Sequence, residues 1–409
     1  MKLWFKFAAG LIFGTALFLV VPSSYLADGG VIATLAEISL RLGYYAVISL
    51  LCVNLPLGIM KVSESGILWK MLRRILRFDV LSLFVASAIG IAAALLALPV
   101  RIPLMADISA PTAMRPLDAI LSIFPKALGP ALAGAGEFVF PALALAFALG
   151  LAMAHDSVAA RPLANLLDSA SRVLYTLNTF ITELVGLFLI PIGARALHSI
   201  SSALADGAFG TFALLLGGVT LFAALVLIPA IAFFLGGKRN PYPLVFANLP
   251  GMLASAASGN LRFSAGTAIR QVSENLGVKR RYNSIALPGV LLFGRAGTAL
   301  VTSLALVVIL SSYSPVVISG LNLLFILLLV PLSTILAGSS IQNGPMVAIT
   351  FACTFFGRGF ENGFLVMAPF AFVLASAATF LDIAWIGCAH VLASPRQIPA
   401  EIKSPQHFI

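Results

Sequence analysis

The chain has 409 residues, 60% of them hydrophobic and only 10% charged, with a mean hydropathy of +1.05. A soluble domain carries roughly a quarter charged residues, so a soluble globular protein is excluded and most of the surface must meet lipid. The formal net charge of +10 does not signal a nucleic-acid partner, because the basic residues sit in short clusters between apolar runs with no interleaved aromatic stacking platforms.

Lys2 and Lys6 precede an apolar run that reaches Val21. A signal peptide would begin this way, but Ser24-Tyr25-Leu26-Ala27 is a poor cleavage site, and the run reads as a retained first helix. A bilayer-spanning helix needs about 20 apolar residues. Spans are expected near 4–22, 38–60, 79–100, 137–155, 173–197, 208–236, 283–313 and 364–393. Two further stretches, 243–277 and 320–358, are apolar but interrupted.

The loop charges set the orientation. With the N-terminus in the cytoplasm, Lys61, Lys70, Arg73, Arg74 and Arg77 fall inside, with Lys238, Arg239, Lys279 to Arg281, Arg396 and Lys403. The outer loops then hold Arg101, Arg115, Arg195 and Arg358, partly offset by Asp107, Asp118, Asp206 and Glu361. The positive-inside bias therefore places both termini in the cytoplasm of a multi-pass protein of the cell (inner) membrane.

The interrupted stretches carry the most information. One contains Ser255-Ala256-Ala257-Ser258-Gly259-Asn260, the other Ala337-Gly338-Ser339-Ser340-Ile341-Gln342-Asn343-Gly344-Pro345. Both are too polar to cross as plain helices. Irregular backbone survives at membrane depth only where protein buries it or a cavity meets it, and a pair of broken segments in two halves points to a transport site.

On these residues the chain resembles the dicarboxylate/amino acid:cation symporter family, the glutamate and aspartate transporters. Leu253 to Leu261 looks like a reduced form of the family's serine-rich hairpin tip, with Ala256, Ala257 and Ser258 where the family has three serines. The likeness continues through Ile269 to Val278 and enters the seventh helix at Leu287-Pro288-Gly289. Gly294-Arg295-Ala296-Gly297-Thr298 stands where the family has Asn-Met-Asp-Gly-Thr, and Asp382 resembles its substrate-contacting aspartate. Three residues on, Trp385 replaces the arginine of acidic-substrate members.

The resemblance implies an all-α protein of eight spanning helices with two re-entrant hairpins, assembled as a homotrimer and working as an elevator. It implies a scaffold part near 1–78 and 137–207, a transport part near 79–136 and 208–393, and a cytoplasmic tail at 394–409. It also implies a secondary transporter, not an enzyme, for a small amino acid or dicarboxylate, with no cofactor. The family's seventh-helix Asn and Asp and a later eighth-helix Asp help bind sodium. Gly294, Ala296 and Ala393 at those positions offer no side-chain oxygen, so no metal site and no sodium coupling are expected. Arg295 at bilayer depth is costly, by roughly 2.5–3.5 kcal/mol on insertion scales, and is a functional candidate by default. It would replace the bound cation or hold a substrate carboxylate in its fork. The bland alternative is an ion pair with Asp382 that only joins two helices.

Substrate contacts are therefore expected from Ser255, Ser258, Arg295, Thr298, Asn343 and Asp382. Glu274 and Asn275 read as structural. Two other functions stay open: a proton-coupled symporter using Asp382, and a transport-dead receptor or structural homologue. The cysteines Cys52, Cys353 and Cys388 and the four histidines form no metal-ligand spacing. The chain has no Gly-Lys-Ser or Gly-Lys-Thr and no recognised nucleophile motif.

Overall fold

The computed structural model describes residues 2–97, 102, 139–205, 207–235, 240–313, 320–338, 344–357, 360–393 and 408. Its regular elements are helical, and eight of the described helices are long and apolar enough to cross a bilayer. This is an all-α, polytopic membrane protein.

Helix α1 (Leu3–Val20) packs along α7 (Arg161–Leu204), a 44-residue helix that also receives α3 (Val31–Tyr44) and α4 (Val47–Ser63). A four-residue turn of helix, α2 (Ser23–Leu26), links α1 to α3. Hydropathy marks only the middle of α7, because charged residues such as Asp168 and Arg172 occupy its first turns. At about 1.5 Å per residue the helix is far longer than a bilayer core. The α1–α7 seam is built on glycine. Gly10 and Gly14 lie one turn apart, and a Cβ on Gly10 would strike Gly186 O, while one on Gly14 would lie 2.7 Å from Ile190 O. Small residues let backbones approach in lipid, where no hydrophobic drive draws helices together.

Helix α5 (Leu68–Leu96) is continuous, so the expected division between two parts at 78/79 falls inside one helix. Helix α6 (Phe140–His155) packs on α4. It has 16 residues and falls short of a full span, whereas the 18-residue α15 (Gly320–Ala337), read from sequence as one arm of a broken segment, is long enough to cross. The expected span at 208–236 is α8 (Gly210–Phe222), a π-helical turn at Ala223–Leu227, and α9 (Ile228–Leu235).

The first interrupted stretch is a short helix, α10 (Tyr242–Ala247), followed by α11 (Leu249–Ser258) and α12 (Leu261–Glu274), which pack on each other. Gly259 turns the chain with φ +60°, a left-handed conformation suited to glycine. Asn260 then caps α12, its side-chain oxygen accepting from the N–H groups of Arg262 and Phe263. Arg270 holds α12 against α7 by donating to Glu183 at 2.7 Å, and to Glu274 at 3.1 Å. Lys6 also pairs with Glu183. Asn275 Nδ2 donates to Ala247 O at 3.0 Å, tying the end of α12 to α10.

The expected seventh helix at 283–313 is broken. Helix α13 (Arg280–Phe293) stops at Gly294, and α14 (Ala296–Tyr313) starts after Arg295. Helix α14 lies between α5 and α17 (Ala371–Ala393), and α15 packs on α16 (Gly344–Phe356).

Gly10→Leu is expected to destabilise the protein by about 1–3 kcal/mol or more, since a backbone carbonyl and not a movable side chain blocks the new Cβ. Gly218→Leu, which meets open space, should have little effect. Thermal denaturation of the two detergent-purified variants, read by size-exclusion chromatography, checks the difference.

Candidate functional site

The helix break at Gly294-Arg295 gives α14 a free N-terminus in the interior. Asp382 on α17 occupies it. Thr298 N donates to Asp382 Oδ1 at 3.1 Å, and Thr298 Oγ1 donates to Asp382 Oδ2 at 2.7 Å. Helix N-termini favour anions, because their N–H groups lack partners and the helix dipole is positive there.

Arg295 completes the arrangement from the opposite polarity. Its Nε lies 3.7 Å from Asp382 Oδ2, an ion pair longer than a hydrogen bond. Its Nη1 donates to Ala337 O at 3.0 Å. Ala337 is the last residue of α15, so the guanidinium sits at a helix C-terminus, where cations are favoured. Its far edge lies against Gly344 at the start of α16, where a Cβ would overlap Nη2. Arg295 and Asp382 are each 1% exposed. The pair thus joins four elements: the α13–α14 break, α15, α16 and α17.

The structure brings together three of the six sequence-predicted site residues: Arg295, Thr298 and Asp382. Ser255 lies nearby but is engaged elsewhere. Its hydroxyl donates to Met252 O at 2.8 Å, and its carbonyl accepts from Thr379 Oγ1 at 3.2 Å. Thr379 is one turn before Asp382 on α17, so the first hairpin touches the helix that carries the aspartate. Ser258 is separate from the cluster. It lines a cavity of about 400 Å³ at the hairpin turn, with Asn260, Tyr44, Glu37, Asp28 and Arg195. Asn343 lies outside the described residues.

One buried acid did not enter the sequence reading. Asp79 on α5 is fully buried, and a Cβ on Gly294 would lie 2.7 Å from its Oδ1. It borders the helix break at Gly294. The signal was a carboxylate at the start of an apolar run, which is expensive in a bilayer.

A family model described as "Sodium:dicarboxylate symporter family" matches residues 2–394. The chain is 28% identical over 198 residues to a "Serine/threonine transporter SstT" of Streptococcus thermophilus (strain CNRZ 1066), covering 46% of this chain and 48% of that protein. It is 23% identical over 364 residues to a "Serine/threonine transporter SstT" of Enterococcus faecalis (strain ATCC 700802 / V583), covering 86% of this chain and 81% of that protein. The chain thus spans about half the length of the first relative and about four fifths of the second.

Removing one member of a buried ion pair strands the other. Arg295→Met should destabilise the protein by about 3–5 kcal/mol, and Thr298→Val by about 1–3 kcal/mol through the lost donor to Asp382. Arg295→Met combined with Asp382→Asn should recover part of the Arg295→Met loss. A double-mutant cycle of unfolding in detergent measures that coupling, and strictly additive losses would show that the two residues do not interact.

Proposed function

Because the chain belongs to the sodium:dicarboxylate symporter family, we propose that it is a secondary transporter of a small zwitterionic amino acid. The observation that carries this reading is the buried Arg295–Asp382 pair at the helix break. One fixed cation beside one fixed anion, both removed from water, complements a solute bearing one carboxylate and one ammonium group. Arg295 would take the carboxylate in its bidentate fork. Asp382, held by Thr298, would take the ammonium. A dicarboxylate fits less well, since its second carboxylate would face Asp382 with no second arginine present at Trp385. The names of the two relatives, serine/threonine transporters, agree with a solute of this class.

Arg295 would also stand in for the cation that the family resemblance implies at this depth. Gly294 and Ala296 supply no side-chain oxygen for sodium, a hard ion that requires oxygen ligands. Binding is therefore independent of sodium, with the positive charge tethered to the protein.

Among the described residues Arg295 and Asp382 are each buried and paired with one another, so binding requires the elements around Arg295 to part. The α15–α16 pair is the natural one to move, because both of its helices end at the guanidinium, at Ala337 O and at Gly344. The two helical pairs, α11–α12 and α15–α16, act as re-entrant hairpins on either side of the site. Elevator movement of a transport part within a homotrimer, in the inner membrane with both termini cytoplasmic, completes the proposal. The dividing line between the two parts would lie in the turn before α5, since α5 itself is continuous.

A thermal-stability panel of purified protein tests the reading. Ligand at 100 times its Kd stabilises by about 2.7 kcal/mol through mass action. L-Serine or L-threonine should raise the unfolding temperature equally in sodium and in sodium-free choline buffer, and succinate should not. A shift seen only in sodium would remove the tethered-cation role of Arg295. Absence of any shift, together with no uptake of labelled amino acids into proteoliposomes, would favour a transport-dead homologue.

A further inference from the structure

The molecule contains two fully buried aspartates at one helix break, and they differ in what surrounds them. Asp382 has both oxygens engaged by Thr298 and stands beside Arg295. Asp79 has neither oxygen engaged: among the described residues, Oδ1 and Oδ2 have no hydrogen-bond partner. An ionised carboxylate so placed would have only the nearby Trp385 indole N–H, outside hydrogen-bonding geometry, against its desolvation. A carboxylic acid avoids that cost.

The surroundings of Asp79 are otherwise apolar. It forms part of the wall of a cavity of about 400 Å³ between α4, α5, α6 and α13, where it is the one charged group among the described lining residues; Leu55, Ile75, Phe140 and Leu292 are typical of the rest. From α17, Trp385 Nε1 faces it outside hydrogen-bonding geometry. From the helix break, the Arg295 guanidinium is turned to Ala337 and Asp382. From α4 and α6 the described residues that share its cavity are apolar. A water needs about 10–15 Å³ and also polar partners; the cavity supplies the volume, and Asp79 is the charged group among its described lining residues that a proton-bearing water would meet.

We propose that Asp79 carries the coupling proton: the buried acid beside the Gly294 break binds a proton at one membrane face and releases it at the other as the amino acid crosses. The proposal rests on the transporter reading above. In the loading step a hydronium ion at one face gives its proton to Asp79, forming an O–H bond and leaving water. In the unloading step that O–H bond breaks and water at the opposite face takes the proton. The packed arrangement accommodates the neutral acid, and the ionised form returns only with its water. Arg295 supplies a fixed charge for the solute, and Asp79 supplies the movable one. The role is a coupling role, since Asp79 has no place in the Arg295–Asp382–Thr298 cluster.

The test uses purified protein in liposomes loaded with a fluorescent pH indicator, in sodium-free choline buffer. Adding L-serine outside should acidify the lumen with wild-type protein. Asp79→Asn, close in shape to the protonated acid, should cut that acidification at least fivefold while serine still raises its thermal stability. Asp79→Glu should restore acidification. The proposal is overturned if Asp79→Asn acidifies as fast as wild type, or if the wild type accumulates labelled serine in net uptake with no acidification. The second result needs no variant and stands even if Asp79→Asn fails to fold. A wild type that neither exchanges serine nor is stabilised by it overturns the transporter reading, and this proposal with it.

Discussion

The interior of the protein depends on how one guanidinium is kept in lipid-buried protein. Arg295 could not sit there on coulombic attraction alone, because removing two charges from water costs more than a pair at 3.7 Å returns. The added support comes from helix ends. The cation lies at the carbonyl end of α15 and the anion at the N–H end of α14, so both polar ends and both charges offset one another. The break at Gly294-Arg295 makes this possible. An unbroken helix would spend Thr298 N–H on its own carbonyl ladder, and Asp382 would lose that donor.

The helix break, the interrupted second segment and the buried pair are therefore one feature. Irregular backbone at membrane depth requires partners, and here the charged side chains are those partners. The pair also holds α15 and α16 onto α14 and α17, so in the proposed transporter solute binding and movement of α15–α16 would be linked by the same contacts. A zwitterion that replaced the internal ion pair with two of its own would change the relation between those helices at little electrostatic cost.

Much of this was readable in the sequence. The all-α membrane class follows from charge content, and the turn at Gly259-Asn260 follows from a left-handed glycine next to a capping asparagine. The pairing of Arg295 with Asp382 follows from two costly charges in apolar helices. Three features were not readable. The stop at Gly294 was hidden because the apolar runs on either side of Gly294-Arg295 read as one span over 283–313, and hydropathy measures composition, not hydrogen bonding. The 44-residue length of α7 was hidden because its ends are polar and lie beyond an apolar centre. Asp79 was hidden by its place at the first residue of an expected span, where an acid reads as a boundary; in the structure α5 begins eleven residues earlier and the acid is interior.

The small residues around the pair show why it cannot be altered one position at a time. A side chain at 294 would press on Asp79 Oδ1 at 2.7 Å and on Val290 Cγ1 at 2.6 Å. The asparagine that the family resemblance implies there would need Asp79 moved or removed. A side chain at 344 would overlap the Arg295 guanidinium, so that arginine requires glycine opposite it. A side chain at 297 would lie 2.8 Å from Asp382 N, so the close approach of α14 to α17 requires glycine there too. The arginine, both aspartates and the three glycines therefore form one sterically consistent set. Such a set changes as a whole, because any single replacement leaves either a collision or an unmatched charge.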